Sequence, residues 1–158
     1  MRKPAEAAVI PEAGEGKRGE DGYLGYLLRQ AAGAYRHRVE RALADLEVTA
    51  PQFAVMTMLK AYPGQSSADI ARLALLTPQT VSVIIGNLER AGTIRRQPHR
   101  VHGRILQIEL SEAGLAQLER CRAQVHTVER ELTKDVSQAE EGTIRRWLVA
   151  IALPQDHG

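Results

Sequence analysis

Apolar residues recur at steps of three and four along most of the chain, which is the spacing of one face of an α-helix. The first such stretch begins near Gly22 and runs to Leu46, about seven turns. Two more stretches, Leu115–Val136 and Ile144–Ile151, lie near the other end of the chain. The former has a seam of about three heptads, which is typical of a helix that packs against a partner helix. The pattern therefore predicts one long helix before, and two helices after, a central segment.

Shorter helices are predicted in the central segment by caps and prolines. The run Thr49-Ala50-Pro51 offers a hydroxyl cap and an early proline, and Pro63-Gly64 ends that helix. Ser66 caps a second helix in a variant of the capping box. Thr77-Pro78 starts a third helix almost at once, and Gly92 is its predicted C-cap. Two short helices with a tight junction predict a helix-turn-helix motif.

The segment after Gly92 alternates like a β-hairpin. Strands are predicted over Ile94–Gln97 and Arg104–Leu110, joined by a loop. A helix-turn-helix followed by a basic hairpin predicts a winged helix-turn-helix, in a mainly α (α+β) fold with a two-stranded β wing.

The predicted helices and strands divide the chain into three kinds of region. Residues 1–21 mix proline, glycine and charge without periodicity, so we expect a flexible N-terminal arm. Residues 48–110 form the predicted DNA-binding domain, and residues 22–47 and 111–154 form a predicted helical dimerisation region.

Composition narrows the class of protein. With 158 residues, 44% hydrophobic and 25% charged, the chain matches a globular domain. Its longest apolar run, 147–153, is far shorter than the ~20 residues of a membrane helix, so no membrane partner is expected. No secretory signal is visible in the first twenty residues, which predicts a cytoplasmic protein. One cysteine, Cys121, excludes an intrachain disulfide framework and a thiolate zinc site.

Net charge alone does not predict nucleic-acid binding, because 21 basic residues face 19 acidic ones. The distribution is more informative, since residues 89–104 hold five arginines against the single acid Glu89. A local basic stretch of this kind suits a phosphate backbone. The arginines are Arg90, Arg95, Arg96, Arg100 and Arg104.

The third predicted helix has two contrasting faces. Its inward face is predicted to hold Val81, Ile84, Ile85 and Leu88. Its opposite face, with Gln79, Ser82, Val83 and Gly86, carries no acid. Such a face suits the major groove, where Gln79 can pair with adenine and Val83 can contact a thymine methyl group. We therefore expect this helix to bind DNA.

An ordered set of short motifs in this chain resembles the MarR family of bacterial winged-helix regulators. The matching runs are residues 46–55, 63–64, 68–72, 77–82, 88–92 and 110–114. The resemblance implies a homodimer that binds double-stranded DNA at a palindromic operator. It also implies a transcriptional regulator, commonly a repressor, that is released by a small aromatic or phenolic anion bound between the dimer helices and the winged domain.

The resemblance and the residue types together suggest the DNA-binding residues. They are Thr77, Gln79, Thr80, Ser82, Val83, Arg90, Arg96, Arg100, His102 and Arg104. Two departures from the family pattern matter. His102 replaces the acid that usually orients the wing arginine, here Arg104, and Val83 stands where the family often has arginine. The base preference of typical members therefore does not transfer.

A ligand site is expected where the first helix, the short second helix and the long helix meet. Tyr26, Tyr35, Phe53 and Met56 are the candidate lining residues. Aromatic and thioether groups suit a flat ring, and the basic residues around Arg36 suit a carboxylate. The alternative is that these side chains simply belong to the core.

Some residues suggest functions other than DNA binding. His99 with His102 suggests a metal sensor, and Cys121 a redox sensor, but neither has the ligand set or the exposed position that such a role needs. A helical adaptor that binds protein instead of DNA is a further alternative. The sequence has no nucleophile elbow, phosphate-binding loop or dinucleotide fingerprint, so no enzyme activity, catalytic residue, metal or cofactor is expected.

Overall fold

The computed structural model describes residues 9–98, 101, 103 and 106–154. Its helices and strands follow the predicted order and confirm the mainly α winged-helix fold. The helices are α1 Leu24–Leu43, α2 Ala50–Ala61, α3 Ser67–Ala74, α4 Pro78–Arg90, α5 Glu112–Leu132 and α6 Gln138–Ala152. The strands are β1 Ile94–Pro98 and β2 Leu106–Leu110, and a short 3-10 helix, Ala44–Leu46, follows α1.

Helix starts are determined by local hydroxyl caps. Each of α2 to α6 begins after a serine or threonine whose side chain accepts a hydrogen bond from a backbone N–H three residues later. The cap of α6, Ser137 with Glu140, is the predicted capping box. Thr49 and Gln52 form a second complete box that the sequence analysis did not find. These bonds satisfy backbone donors that have no partner inside the helix.

Several predicted boundaries differ from the structure. The first helix, predicted to run from near Gly22 to Leu46, is an α-helix over Leu24–Leu43, and Ala44–Leu46 is a 3-10 helix. The predicted seam of the long helix included Val136, but α5 ends at Leu132 with Thr133 as its C-cap. The physical reason is that Ser137 caps the next helix, so the intervening residues form the turn, in which the Val136 N–H donates to the Thr133 carbonyl. Strand β1 extends one residue further than predicted, to Pro98.

Met1–Arg38 forms one compact unit. Within it, Gly16–Arg18 is a 3-10 helix. Arg18 Nε donates to Gln30 Oε1 at 3.3 Å, and Gln30 Nε2 donates back to the Arg18 carbonyl at 3.0 Å. The predicted flexible arm therefore contains a folded stretch that local composition did not reveal, because its bonds join residues twelve apart.

Val39–Gly158 forms the second compact unit and holds the described core. The strands pair antiparallel, with Ile94 opposite Leu110 and Arg96 opposite Ile108. Core side chains come from the end of α1, from α2, α3, α4 and α5, and from both strands. Burial of these apolar side chains is the main favourable term that holds the unit together. They include Val55, Met56, Leu59, Ile70, Val81, Ile85, Ile94, Ile108, Leu118 and Cys121.

The start of α5 lies directly against Thr93, the residue before β1. A Cβ on Gly114 would stand 2.0 Å from the Thr93 carbonyl oxygen, so only glycine allows this approach. Ser111 Oγ donates to the Gly92 carbonyl at 2.6 Å and also accepts from the Gly114 N–H. This junction fixes the hairpin to the long helix.

Among the described residues, no single helix is long and apolar enough to cross a membrane. The pair α3 and α4 passes the length and composition test only when joined, and the two helices bend by 111° at their junction.

Candidate nucleic-acid interface

The α3–α4 junction has the geometry of a helix-turn-helix. The angle of 111° lies in the range of about 90–120° that is usual for this motif. Leu75 makes the turn with a left-handed φ of 56°, and its N–H donates to the Arg72 carbonyl at 3.3 Å. The predicted tight junction is therefore confirmed.

Helix α4 divides into a buried and an exposed face, as predicted. Val81, Ile84, Ile85 and Leu88 have relative exposures of 0–7%. On the other side, Gln79, Ser82 and Val83 are exposed, and Val83 reaches 63%. Since the inward face is fully used by the core, the outward face is available to a partner.

The N-terminus of α4 has features that favour binding of an anion. Thr77 Oγ1 accepts from the Thr80 N–H at 3.2 Å, and the two hydroxyls lie 2.9 Å apart. Pro78 occupies the first turn, and that turn contains no acid. The partial positive charge of a helix N-terminus is thus not offset by a carboxylate in its own first turn, which suits a phosphate.

The C-terminal end of α4 carries an arginine held by its own helix. Arg90 Nη2 donates to Asn87 Oδ1. A Cβ built on Gly86 would lie 3.8 Å from Arg90 Nη1, so the guanidinium lies beside the glycine. Sequence reasoning named Arg90 but missed Asn87, although their spacing of three residues on one helix was a usable signal.

Strand β1 carries two arginines that are paired in the free protein. Arg96 Nε donates to both carboxylate oxygens of Glu89, at 3.1 and 3.2 Å. Arg95 lies 3.6 Å from Glu109, which strand pairing places directly opposite. The sequence analysis counted only Glu89 against these arginines, because Glu109 joins them only when the hairpin forms. To contact a phosphate, Arg96 must leave its ion pair with Glu89 or bind the carboxylate and the phosphate together.

Three predicted DNA-binding residues lie outside the described residues. They are Arg100, His102 and Arg104, and His99 lies outside them as well. Their roles stay predictions.

Helix α3 adds a candidate that the sequence analysis missed. Arg72 is strongly exposed and lies 3.1 Å from Asp69. The Ser66 hydroxyl donates to Asp69 at 2.6 Å, and this hydrogen bond is the main reason that the pKa of Asp69 is lowered. Burial opposes it, and the Ser66 backbone and the Arg72 charge add smaller lowering effects. Exposure of a basic residue beside the α3–α4 turn is the signal that points to Arg72, because the first helix of this motif crosses the DNA backbone.

Cys121 is fully buried on α5. Burial raises the pKa of its thiol, and the charge of Arg120 opposes this shift only in part. A thiol of this kind is mostly protonated and unreactive, as expected for an apolar core position. Among the described residues, no group of three His, Cys, Asp or Glu side chains is placed to hold a metal ion.

The candidate ligand residues divide between the two units. In the first, the Tyr26 hydroxyl lies 3.3 Å from Gln30 Oε1, and the Arg29 guanidinium lies 6.0 Å from the Tyr26 ring centre; Tyr35 is half-buried. In the second, Phe53 is half-buried and Met56 is fully buried on α2.

One turn after Phe53, α2 carries a polar group that the sequence analysis missed. The Thr57 hydroxyl oxygen is buried, and it has no hydrogen-bond partner among the described residues. An unpaired buried hydroxyl is uncommon and suits a bound molecule with a polar group. Phe53 and Thr57 are four residues apart, so they share one face of the helix.

Comparisons with known proteins agree with this geometry. A family model described as MarR family matches residues 38–105. The HTH-type transcriptional repressor Rv2887 of Mycobacterium tuberculosis is 33% identical over 129 residues, which make up 82% of this chain and 93% of that protein.

Two solved structures of the M. tuberculosis MarR family protein Rv2887 are also similar. The complex with salicylic acid has a TM-score of 0.69 and 32% identity, and covers 84% of this chain and 98% of that one. The complex with DNA has a TM-score of 0.67 and 30% identity, and covers 84% of this chain and all of that one, 100%.

Proposed function

The chain belongs to the MarR family of DNA-binding transcriptional regulators, and we propose that it is a homodimeric repressor that leaves a palindromic operator when it binds a small aromatic anion. As a member of a family of regulators, it is not an enzyme. We place it in the cytoplasm, where its operator DNA lies.

The exposed face of α4 is the observation that carries this proposal. Its hydrogen-bonding and small side chains, Gln79, Ser82, Val83 and Gly86, lie opposite four buried apolar residues. An ordinary surface helix carries charge on its outward face, whereas a helix in the major groove needs amide, hydroxyl and methyl groups without acids. Thr77 and Thr80 at the helix start, and Arg96 on β1, supply the polar and charged groups for phosphates.

Dimerisation is supported by the exposed apolar stripe of α6. Ile144, Trp147, Leu148 and Ile151 follow helical spacing and are each 39–45% exposed. A contiguous apolar face of this kind is costly in water unless a partner covers it. A second copy is the natural occupant, since a palindromic operator requires two copies of α4 related by twofold symmetry.

Release by an aromatic anion is supported by the candidate ligand residues and by the salicylic acid complex of Rv2887. Phe53 provides aromatic surface on α2, and the Thr57 hydroxyl one turn later adds a buried polar group without a partner among the described residues. Tyr26, Tyr35 and Met56 stay candidate ligand residues. Binding of the anion shifts operator affinity only if the anion prefers the released state over the bound state. We therefore expect it to alter the separation of the two copies of α4, which must match about one helical turn of DNA, ~34 Å.

Selection of bound duplexes from a random pool is the direct test. The expected result is one palindromic sequence whose affinity falls when salicylate is added. A protein that enriches no sequence is not a specific regulator, and enrichment without any effect of aromatic acids would remove the anion from the proposal while leaving the repressor.

The ligand site is tested by one variant of α2 and a control on α3. Thr57→Val removes the buried hydroxyl and keeps the side-chain volume, so we expect salicylate to lose effect while operator affinity in its absence is unchanged. Ser67→Ala, which removes a hydroxyl from α3 instead, is the matched control. An unaltered response in Thr57→Val would show that this face of α2 does not contact the anion.

A further inference from the structure

Arg90 folds back along α4 instead of extending beyond its end. It is the last residue of the helix, three positions after Asn87 and four after Gly86. Helical side chains lean toward the helix N-terminus, so an arginine at this position covers the preceding turn. The hydrogen bond to Asn87 Oδ1 and the 3.8 Å approach of Nη1 to a Cβ position on Gly86 show that it does so here.

The folded-back guanidinium lies on the groove-facing stripe. Gln79, Val83, Gly86 and Arg90 follow one another at steps of four, three and four, which places them on one side of the helix. At 1.5 Å per residue, the level of Gly86 is ~10 Å from Gln79, whereas the Cα of Arg90 is ~16 Å away. Folding back therefore brings the guanidinium ~6 Å closer to Gln79 along the helix axis than the Arg90 Cα.

Within α4, no carboxylate pairs with the charge of Arg90. Its hydrogen-bond acceptor is a neutral amide, and Glu89, which is the one acid in α4, pairs with Arg96 instead. Arginine has five N–H donors in a fixed plane, and the bond to Asn87 uses one of them. The remaining donors can match the two acceptors, O6 and N7, on the major-groove edge of guanine.

We propose that Arg90 is the arginine through which α4 recognises a G·C base pair in the operator, and that Asn87 is a positioning residue that holds it over Gly86. This inference rests on the proposed function and specifies how the same surface discriminates between sequences. It gives the recognition helix an arginine at a different position from Val83, where the resemblance places one in many members.

The test separates the effect of the positive charge at residue 90 from the effect of the position and shape of the guanidinium. Operator and random duplexes are titrated by fluorescence anisotropy across a range of salt, using the duplex selected by the unaltered protein. Asn87→Ala keeps the Arg90 charge and removes its support, and Arg90→Lys keeps the charge and removes the bidentate fork. We expect each variant to lower the preference for operator over random DNA about 10-fold, which corresponds to ~1.4 kcal/mol. Affinity for random DNA and its salt dependence should be unchanged, because no charge is lost.

Arg122→Lys is the matched control, since Arg122 pairs with Glu119 at the same three-residue spacing on α5. A second measurement replaces each G·C pair of the operator with A·T in turn. One such duplex should weaken binding of the unaltered protein but cause no further loss in Arg90→Lys, which identifies the pair that Arg90 contacts.

Several outcomes would overturn the inference. Equal losses on operator and random DNA would place Arg90 on a phosphate, and unchanged preference in both variants, with normal melting curves, would remove it from recognition. If the unaltered protein selects no duplex, the proposed function fails together with the inference, and that result is distinct from selection that the variants leave intact.

Discussion

Helices α4 and α6 are similar in length and both amphipathic, yet their apolar faces have different surroundings. On α4, Val81, Ile84, Ile85 and Leu88 are buried by the rest of the chain. On α6, whose apolar stripe has the same spacing, no residue is buried. A single chain thus buries the apolar face of α4 but leaves the apolar face of α6 exposed.

The helix starts differ as well. The first turn of α6 contains Glu140 and Glu141, whereas the first turn of α4 has a threonine cap and no acid. Carboxylates stabilise a helix N-terminus, so their absence from α4 forgoes that stabilisation and keeps negative charge away from DNA. The comparison indicates that α4 is packed inward to present a polar face to DNA, whereas α6 presents an apolar face to another protein chain.

The largest expected effect comes from placing a charge on the open face of α6. Leu148→Glu should convert the dimer to a monomer in sedimentation at micromolar concentration, because a carboxylate would be buried in an apolar interface. Operator affinity should fall about 100-fold or more, since the two half-sites are no longer bound by one linked particle. Val149→Glu, on the opposite side of α6, is the control and should stay dimeric. A dimeric Leu148→Glu would mean that another surface joins the copies.

Truncation of a side chain on the buried face of α4 should lower stability and leave dimerisation unchanged. Ile85→Ala removes a side chain that is 2% exposed, so we expect the free energy of unfolding to fall by about 2 to 5 kcal/mol in a urea titration. Val83→Ala, on the exposed face, should change it by less than about 0.5 kcal/mol. Similar losses in the two variants would contradict the division of α4 into a packed and an open face.

Gly86→Ala separates stability from DNA binding on α4. Alanine favours a helix interior over glycine by up to about 1 kcal/mol, and the added Cβ makes only an ordinary contact at 3.8 Å. We expect a higher melting temperature together with weaker operator binding, because the methyl group stands on the groove-facing stripe. Gly142→Ala on α6 is the control, with a similar gain in helix propensity and no loss of DNA affinity. Unchanged operator binding in Gly86→Ala would place residue 86 away from DNA.

Glu89→Gln tests the ion pair that links α4 to the wing. The pair is partly exposed, so its loss should change stability by less than about 1 kcal/mol. Affinity for random DNA should rise and its salt dependence should steepen by up to about one unit, because Arg96 is then available to a phosphate. Glu119→Gln on α5 is the control. A fall in affinity would show that Glu89 supports DNA binding by holding Arg96 in place.

The smallest expected effect concerns the cap of α6. Hydrogen bonds from the Ser137 side chain and then its backbone N–H lower the pKa of Glu140 from its ordinary value of 4.5, against a smaller effect of burial. A carboxyl with a lowered folded-state pKa stabilises the fold above its unfolded pKa, and this contribution is lost as pH falls through the folded value. Glu140→Gln should therefore be less stable than the unaltered protein at pH 7, and the difference should shrink below pH 4.5 in thermal melts. A difference that persists in acid would assign the effect to helix geometry instead of charge.

Local chemistry in the sequence determined most of the fold. Two kinds of pattern act over only one or two helical turns: the hydroxyl caps at Thr49, Ser66 and Thr77, and the three-and-four spacing of apolar residues. Both can therefore be recognised in the sequence without knowledge of the tertiary structure. The same is true of the two faces of α4, because helical periodicity alone assigns Val81 and Ile84 to one side and Gln79 and Val83 to the other.

Tertiary structure decided the features that join distant residues. Strand pairing brought Glu109 opposite Arg95, and the hairpin brought Arg96 back to Glu89, so the basic stretch holds more ion pairs than its sequence suggests. The close approach of Gly114 to Thr93 and the burial of the Thr57 hydroxyl, which has no partner in the part of the chain that the structure describes, likewise depend on which elements surround them. The physical reason is that capping and periodicity depend on neighbours along the chain, whereas charge pairing, burial and close contact depend on neighbours in space.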